Sequence, residues 1–255
     1  MSQTKAELLD PLNGVVSSGD VKINDVSVGK GANSVAGNTV LGESALDDAV
    51  TGQFNTAIGK NTLTANTSGA SNTAVGSSSL AANTTGSDNI AIGSSSLTAN
   101  TTGQRQSSIG LLALASNTTG SNNVANGYGA LFANTTADNN TAVGYAALTA
   151  NTTGTNLVAV GANALDTNTT GNGNVAIGVS ALQANSTASH NIAVGQGAMF
   201  ANTTGTRNTA IGANGTLTAN LTGNDNVAVG YVAMGANTTG TQNVAVGANA
   251  LDANT

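Results

Sequence analysis

One short motif recurs thirteen times and occupies almost the whole chain: Asn-(Thr/Val/Ile)-Ala-(Val/Ile)-Gly, a pair of small residues, an Ala or Ser, a Leu, and then Asn-Thr-Thr-Gly. Its glycines stand at 42, 59, 76, 93, 110, 127, 144, 161, 178, 195 and 212, every 17 residues, and then at 230 and 247. A period this short and this regular specifies stacked coils, each a single supersecondary unit that buries its apolar side only against its neighbours. The reading is an all-β chain: a parallel β-solenoid of about 13 coils, with residues 1–30 as an N-terminal attachment segment and 31–255 as the array. The usual relation between length and domain count does not apply to such an array.

Within each coil the columns carry distinct chemistry. The residue before the motif glycine is Ile, Val or Leu in twelve of thirteen copies, and the residue three before it is β-branched or Ser throughout. These two share one face of a strand. The residue between them is Ala in eleven copies, with Val40 and Ser108 as the others, so the opposite face accepts almost nothing larger. The expectation is that the branched face joins the Leu column, here Leu148 and Leu165, inside the coil, with Leu on a second strand. The Ala face then abuts neighbouring chains. A slender array buries little surface per residue, so a homotrimer closed around that Ala face supplies the missing burial.

Two asparagine columns carry the turns, one four residues before the glycine and one three after the leucine, as at Asn151 and Asn168. Asn tolerates the left-handed region and bonds local backbone, which suits corners. Stacked at about 4.8 Å, the amides can also bond in register as a ladder. Glycines such as Gly59, Gly76, Gly93, Gly144, Gly161 and Gly178 mark positions needing positive φ or close approach.

Lapses in the repeat are informative. Four residues instead of three separate Gly212 from Leu217, which predicts a bulge near Asn214 and Gly215. Asn126 stands in the apolar column and must find a partner or cost stability as a buried amide. Asp88 and Arg105, and Arg207 and Asp225, occupy one column on adjacent coils and predict exposed ion pairs of small worth. At the start, Ala6 to Asp10 suggests a helical turn ending before Pro11, and Val21 to Val28 reads as lead-in strands. At the end, the repeat stops mid-coil at Leu251-Asp252-Ala253-Asn254-Thr255, which is read as a pairing edge, a frayed end or a continuing chain.

Composition excludes several function classes. The net charge is −6, and the six bases Lys5, Lys22, Lys30, Lys60, Arg105 and Arg207 are scattered, so no basic stripe serves nucleic acid. The absence of cysteine removes disulfide, thiolate and cysteine–metal chemistry. No run approaches the ~18 apolar residues of a membrane helix, so no membrane insertion is expected. His190 is the only histidine, and nothing orients it with Ser189 as a catalytic pair. No catalytic residue, cofactor or metal ligand is therefore assigned. The groups Asp88-Asn89, Asp138-Asn139-Asn140 and Asp225-Asn226 lack the dense carboxylate spacing of a calcium site and read as turn chemistry. Eleven Asn-x-Ser/Thr triplets fall in the second asparagine column, where the repeat itself accounts for them. A threonine-rich column invites an ice-binding reading, but adjacent threonines point to different sides.

Four aromatics stand out. Tyr128 and Tyr145 share the column just after the glycine on neighbouring coils, and Phe132 and Phe200 share the column after the leucine. Exposed rings on a charge-poor surface suit sugar stacking, and a repeated fibre gains avidity from many weak contacts. These residues are the candidate receptor contacts; the alternative is that the rings shield the ladder.

The blocks Asn-Thr-Ala-Val-Gly at 140 to 144 and Asn-Val-Ala-Ile-Gly at 174 to 178 resemble the Ser-Val-Ala-Ile-Gly repeats in heads of trimeric autotransporter adhesins. That resemblance implies a left-handed parallel β-roll, three chains to a head, on a bacterial surface. The longer unit at 140 to 154 is similar to repeats of bacteriophage tail fibres and related virion appendages. The likeness spans about residues 33 to 255. An autotransporter adhesin should carry a signal peptide, a coiled-coil stalk and a membrane anchor, none of which is found, and the start Met-Ser-Gln-Thr-Lys-Ala-Glu-Leu-Leu-Asp-Pro has no apolar signal core. The expectation is a non-enzymatic virion fibre located outside the host cell. It attaches to another virion or surface protein by its N-terminal region and contacts a host glycan or receptor. A bacterial extracellular surface filament or adhesin head is the alternative.

Overall fold

The computed structural model describes residues 20–48 and 50–253. The helical turn expected between Ala6 and Asp10 lies outside them. Each Thr/Val/Ile-Ala-Val/Ile triplet forms one very short strand, and the strands stack into a single 15-stranded sheet in sequence order. The lead-in segment is an antiparallel hairpin, β1 Val21–Ile23 and β2 Val26–Gly29, followed by a 3-10 turn at Ala32–Ser34. Strand β2 pairs antiparallel with β3, Thr39–Gly42, so the hairpin covers the N-terminal edge of the array. From β3 onward the pairing is parallel. The following strands are β4 Thr56–Ile58, β5 Thr73–Val75, β6 Ile90–Ile92, β7 Ser107–Ile109, β8 Val124–Asn126, β9 Thr141–Val143, β10 Val158–Val160, β11 Val175–Ile177, β12 Ile192–Val194, β13 Thr209–Ile211, β14 Val227–Val229 and β15 Val244–Val246. Alanine lies on alanine throughout, as in Ala142↔Ala159↔Ala176. The chain is thus a parallel β-solenoid with one strand per coil. At about 4.8 Å per coil, β3 to β15 span a rod on the order of 60 Å.

The rest of each coil is a chain of corners. The motif glycines from Gly59 onward hold φ between 125° and 147°. Their stacking is too close for any side chain: a Cβ at Gly144 would lie 2.7 Å from both C and O of Gly161. Two residues later, and again at the leucine, the backbone turns left-handed; Leu148 has φ 54° and Leu165 has φ 51°. The expected second strand is therefore absent, because the leucine sits in a tight turn. A left-handed leucine costs ~1–2 kcal/mol, which complete burial of its side chain at ~1.5–3 kcal/mol offsets. Both leucines are fully buried.

The faces of the strand are reversed relative to the sequence expectation. Ala142, Ala159 and Ala176 are fully buried inside their own coils, packed with the leucines in one continuous core. The branched residues point outward, and Ile92, Ile109 and Ile177 are about 40% exposed. The reason is the coil's thinness. Leucine and two inward asparagines already fill the interior from the turn side, leaving room for only a methyl group from the strand. Asn126, in the outward column, is accordingly exposed and is no buried amide. The Ala face cannot be the axis of an oligomer.

The bulge expected near Asn214 and Gly215 is present. Residues 212–215 form a run of bends, and β13 pairs with β14 at a spacing of 18, Thr209↔Val227. Thr216 Oγ1 donates to Gly230 O at 2.7 Å across the altered turn.

Candidate functional site

Two buried amide ladders hold the coils in register. In the first, the backbone N–H of Asn72 donates to Asn55 Oδ1 at 3.0 Å, and that of Asn89 to Asn72 Oδ1 at 3.0 Å. The Asn72 Nδ2 reaches forward to Gly86 O at 2.9 Å. In the second, Asn151 Nδ2 donates both to Asn134 Oδ1 at 3.0 Å and to Gly154 O at 3.0 Å, and Asn168 repeats the pattern onto Asn151. None of these asparagines has a positive φ. They stand at corners for their hydrogen bonds, while the left-handed positions fall to residues such as Asp88, Asn122 and His190. The amides of the second ladder, which include the Asn-x-Ser/Thr triplets, are buried and bonded between coils.

Exceptions show what each column requires. Gln106 keeps the first relay, taking Asn89 Oδ1 at its N–H, offering its own Oε1 to the Asn123 N–H at 3.1 Å, and donating through Nε2 to Gly120 O. Leu157 ends the relay: its N–H bonds Asn140 Oδ1 at 3.0 Å, but its side chain fills the slot with hydrocarbon. Ser108, in the Ala column, is matched by Ser96, whose Oγ donates to Ser108 Oγ at 2.8 Å inside the core.

The titratable groups mostly serve the turns. Arg207 Nε and Nη2 grip Asp225 at 2.6 and 2.8 Å, as the spacing predicts, and the bonds from Arg207 hold the Asp225 carboxyl below its usual range. Arg105 departs from expectation: its Nε donates to Asn122 Oδ1 at 2.8 Å, one coil forward, and not to Asp88. Asp138 Oδ1 accepts the Ser121 N–H at 2.6 Å. Sequence reading missed the Lys60–Glu43 pair at 2.9 Å. It also missed Asp166, where burial pushes the carboxyl up, opposed by hydrogen bonds from Gln183 and the Thr167 backbone; its Oδ1 is buried without a partner. His190 is exposed at a left-handed corner with its ring against Gly173, and Ser189 Oγ accepts the Asn172 N–H at 2.9 Å. Among the described residues no group of three metal-binding side chains assembles, and no helix is long and apolar enough to cross a membrane.

The aromatic column is where the surface becomes distinctive. Tyr128 and Tyr145 stack with ring centroids 5.4 Å apart and planes 10° apart. Stacking follows directly from the repeat, since equal columns on adjacent coils lie one strand spacing apart. With Leu112, Gly129, Phe132, Ala146 and Thr149 they line a groove of about 280 Å³. Three of the four candidate contacts, Tyr128, Tyr145 and Phe132, therefore meet. Phe200 does not join them, lying four repeats further along the rod. Sequence reading missed Gly129, the floor of the groove, and the exposed rings of Tyr231 and Phe54 elsewhere. The groove is lined by turn residues and shares none with the outward strand face.

That strand face is the other exposed feature. It runs as two columns along the rod and includes Ile58, Ile90, Ile92, Ile109, Val160 and Ile177, each at least 36% exposed. The first threonine of most turns is committed to coil contacts, as in Thr84 Oγ1 to Thr101 O at 3.0 Å. The second, such as Thr85, is exposed. No protein-family model, curated protein or solved structure matches this chain.

Proposed function

We propose that the chain is the rod of a non-enzymatic, homotrimeric attachment fibre, most closely a bacteriophage tail fibre or virion appendage acting outside the host cell. The observation that carries this reading is the outward strand face, which is aliphatic at 19 of its 26 positions along the thirteen coils. It is about 60 Å long and one three-residue strand, about 10 Å, wide, on the order of 600 Å² in projection. That is at the upper end of what a monomer exposes, and larger patches mark interaction surfaces. It is less than the ~800 Å² per partner of a standard two-chain interface. Closing three such faces around one axis pools them into a single core, and the cyclic symmetry keeps all three rods parallel. The association runs through the branched face and not the alanines. The rod is stiff because every coil is bonded to the next by backbone and amide ladders.

A bacterial surface filament or adhesin head would use the same rod. Ice binding is favoured less, since the first threonine column spends its hydroxyls on neighbouring coils. Fluorescently labelled purified protein applied to intact cells of a panel of bacterial strains tests the attachment reading. Saturable binding to some strains is expected; rods that decorate none would contradict it.

A further inference from the structure

We propose that the socket above Gly129, walled by Tyr128, Tyr145 and Phe132, binds one neutral pyranose ring of a host-surface glycan. This deepens the attachment reading and rests on it for biological meaning, although the binding chemistry stands on the socket alone.

The position two after the motif glycine is left-handed on coil after coil, yet it does not demand glycine. Asn61, Ser78, Leu112, Ala146, Asn163, Val232 and Asn249 all hold it with φ near 55°. Glycine appears there only at Gly129 and Gly197, the two coils that also carry phenylalanine five residues after the motif glycine. What glycine supplies is therefore space. A Cβ at Gly129 would meet no atom within 4 Å, so the floor of the socket is open and Phe132 does not fill it. Around Gly129 the stacked tyrosines add a second aromatic wall, whereas Gly197 has Gln196 and Ala213 in the corresponding column.

The lining selects the ligand class. A pyranose has an apolar face of C–H groups and an edge of hydroxyls, and it matches a site with aromatic faces and a few polar groups at the rim. Here the rim groups are the tyrosine phenols and Thr149, whose Oγ1 donates to Gly129 O at 3.1 Å and can still accept. No lysine, arginine or acid lines the groove, and the chain carries a net charge of −6, so sialic acids and phosphorylated sugars are disfavoured. A volume of about 280 Å³ is just below the usual ~300–1,000 Å³ of small-molecule sites, which suits one ring and not a chain. Single-ring binding is weak, and parallel copies of the rod raise it by avidity.

The test is ligand-observed saturation-transfer NMR on the full chain, titrating methyl glycosides of glucose, galactose, mannose and N-acetylglucosamine, with N-acetylneuraminic acid as the charged comparison. At least one neutral sugar is expected to bind saturably. Gly129→Asn, which fills the socket with a residue four other coils carry at that position, should weaken it at least tenfold while leaving circular dichroism and thermal unfolding unchanged. Tyr145→Ala should weaken it similarly. Saturable binding by none of the neutral sugars, unchanged binding by Gly129→Asn, or preference for the charged sugar would overturn the proposal. Because these readouts do not depend on cell binding or on chain number, failure of the socket and failure of the fibre reading remain distinguishable.

Discussion

The interior and the outer face of this rod are built by the same three-residue strands, yet they obey different rules. Inward, the middle strand position is alanine in eleven of thirteen copies, and its one polar exception, Ser108, is fully bonded within the core by Ser96 Oγ and Ala113 O. Outward, Thr, Val, Ile, Ser, Leu and Asn interchange freely, and Asn126 sits there with no cost visible in the coil. Interior positions are fixed by steric contact at one coil spacing and by amides that must all be satisfied. Outer positions are constrained only by what covers them. Fold is therefore specified from within the coil, and the proposed association would be specified from outside it.

Substitutions on the two sides should separate accordingly in denaturant unfolding. The largest effect is expected from Gly144→Ala, whose Cβ would collide with Gly161 at a φ of 135°; a loss of about 3 kcal/mol or more is expected. Asn151→Ala follows: it strips the donor from Asn134 Oδ1 and Gly154 O and leaves Asn168 Nδ2 with Gly171 O alone of its two acceptors, for a loss of about 2 kcal/mol. In the opposite direction, Leu157→Asn should restore the first ladder and raise stability by about 1 kcal/mol. On the outer face, Ile92→Asn with Ile177→Asn should change the unfolding of the dissociated chain by less than about 0.5 kcal/mol per site while weakening association sharply, as followed by sedimentation.

The smallest effect concerns pH. The Asp166 carboxyl is harder to ionise in the folded chain than at its ordinary value of 3.8, so the folded state holds more protons than the unfolded one between the two values. Stability should fall as pH rises through that window, and Asp166→Asn should remove that dependence and be the more stable form at neutral pH. Thermal unfolding followed from pH 3 to 7 checks the sign.

Much of the fold was legible because the repeat prints each column thirteen times. Coil spacing, the bulge at Gly212, the lead-in strands and the amide ladders all follow from residue type and period. The facing of the strand did not, because alternation alone cannot say which side is inside. That depends on how much room Leu148 and the two asparagines leave, and room is set by the left-handed turns. A leucine at φ 54° is contrary to its local preference and is revealed only by packing. In the site, the tyrosine pair was readable from its shared column. Gly129 was readable in principle, through its co-occurrence with Phe132 and the matching pair Gly197 and Phe200, but its meaning lies in the empty volume above it.

Light scattering of the purified protein, for the wild type and for the Ile92→Asn, Ile177→Asn variant, bears most directly on the division between interior and outer face. The wild type is expected at three times the 24.5 kDa chain mass, with the variant shifted to the single chain at unchanged circular dichroism. A wild-type rod that stays soluble at 24.5 kDa would contradict a covered outer face.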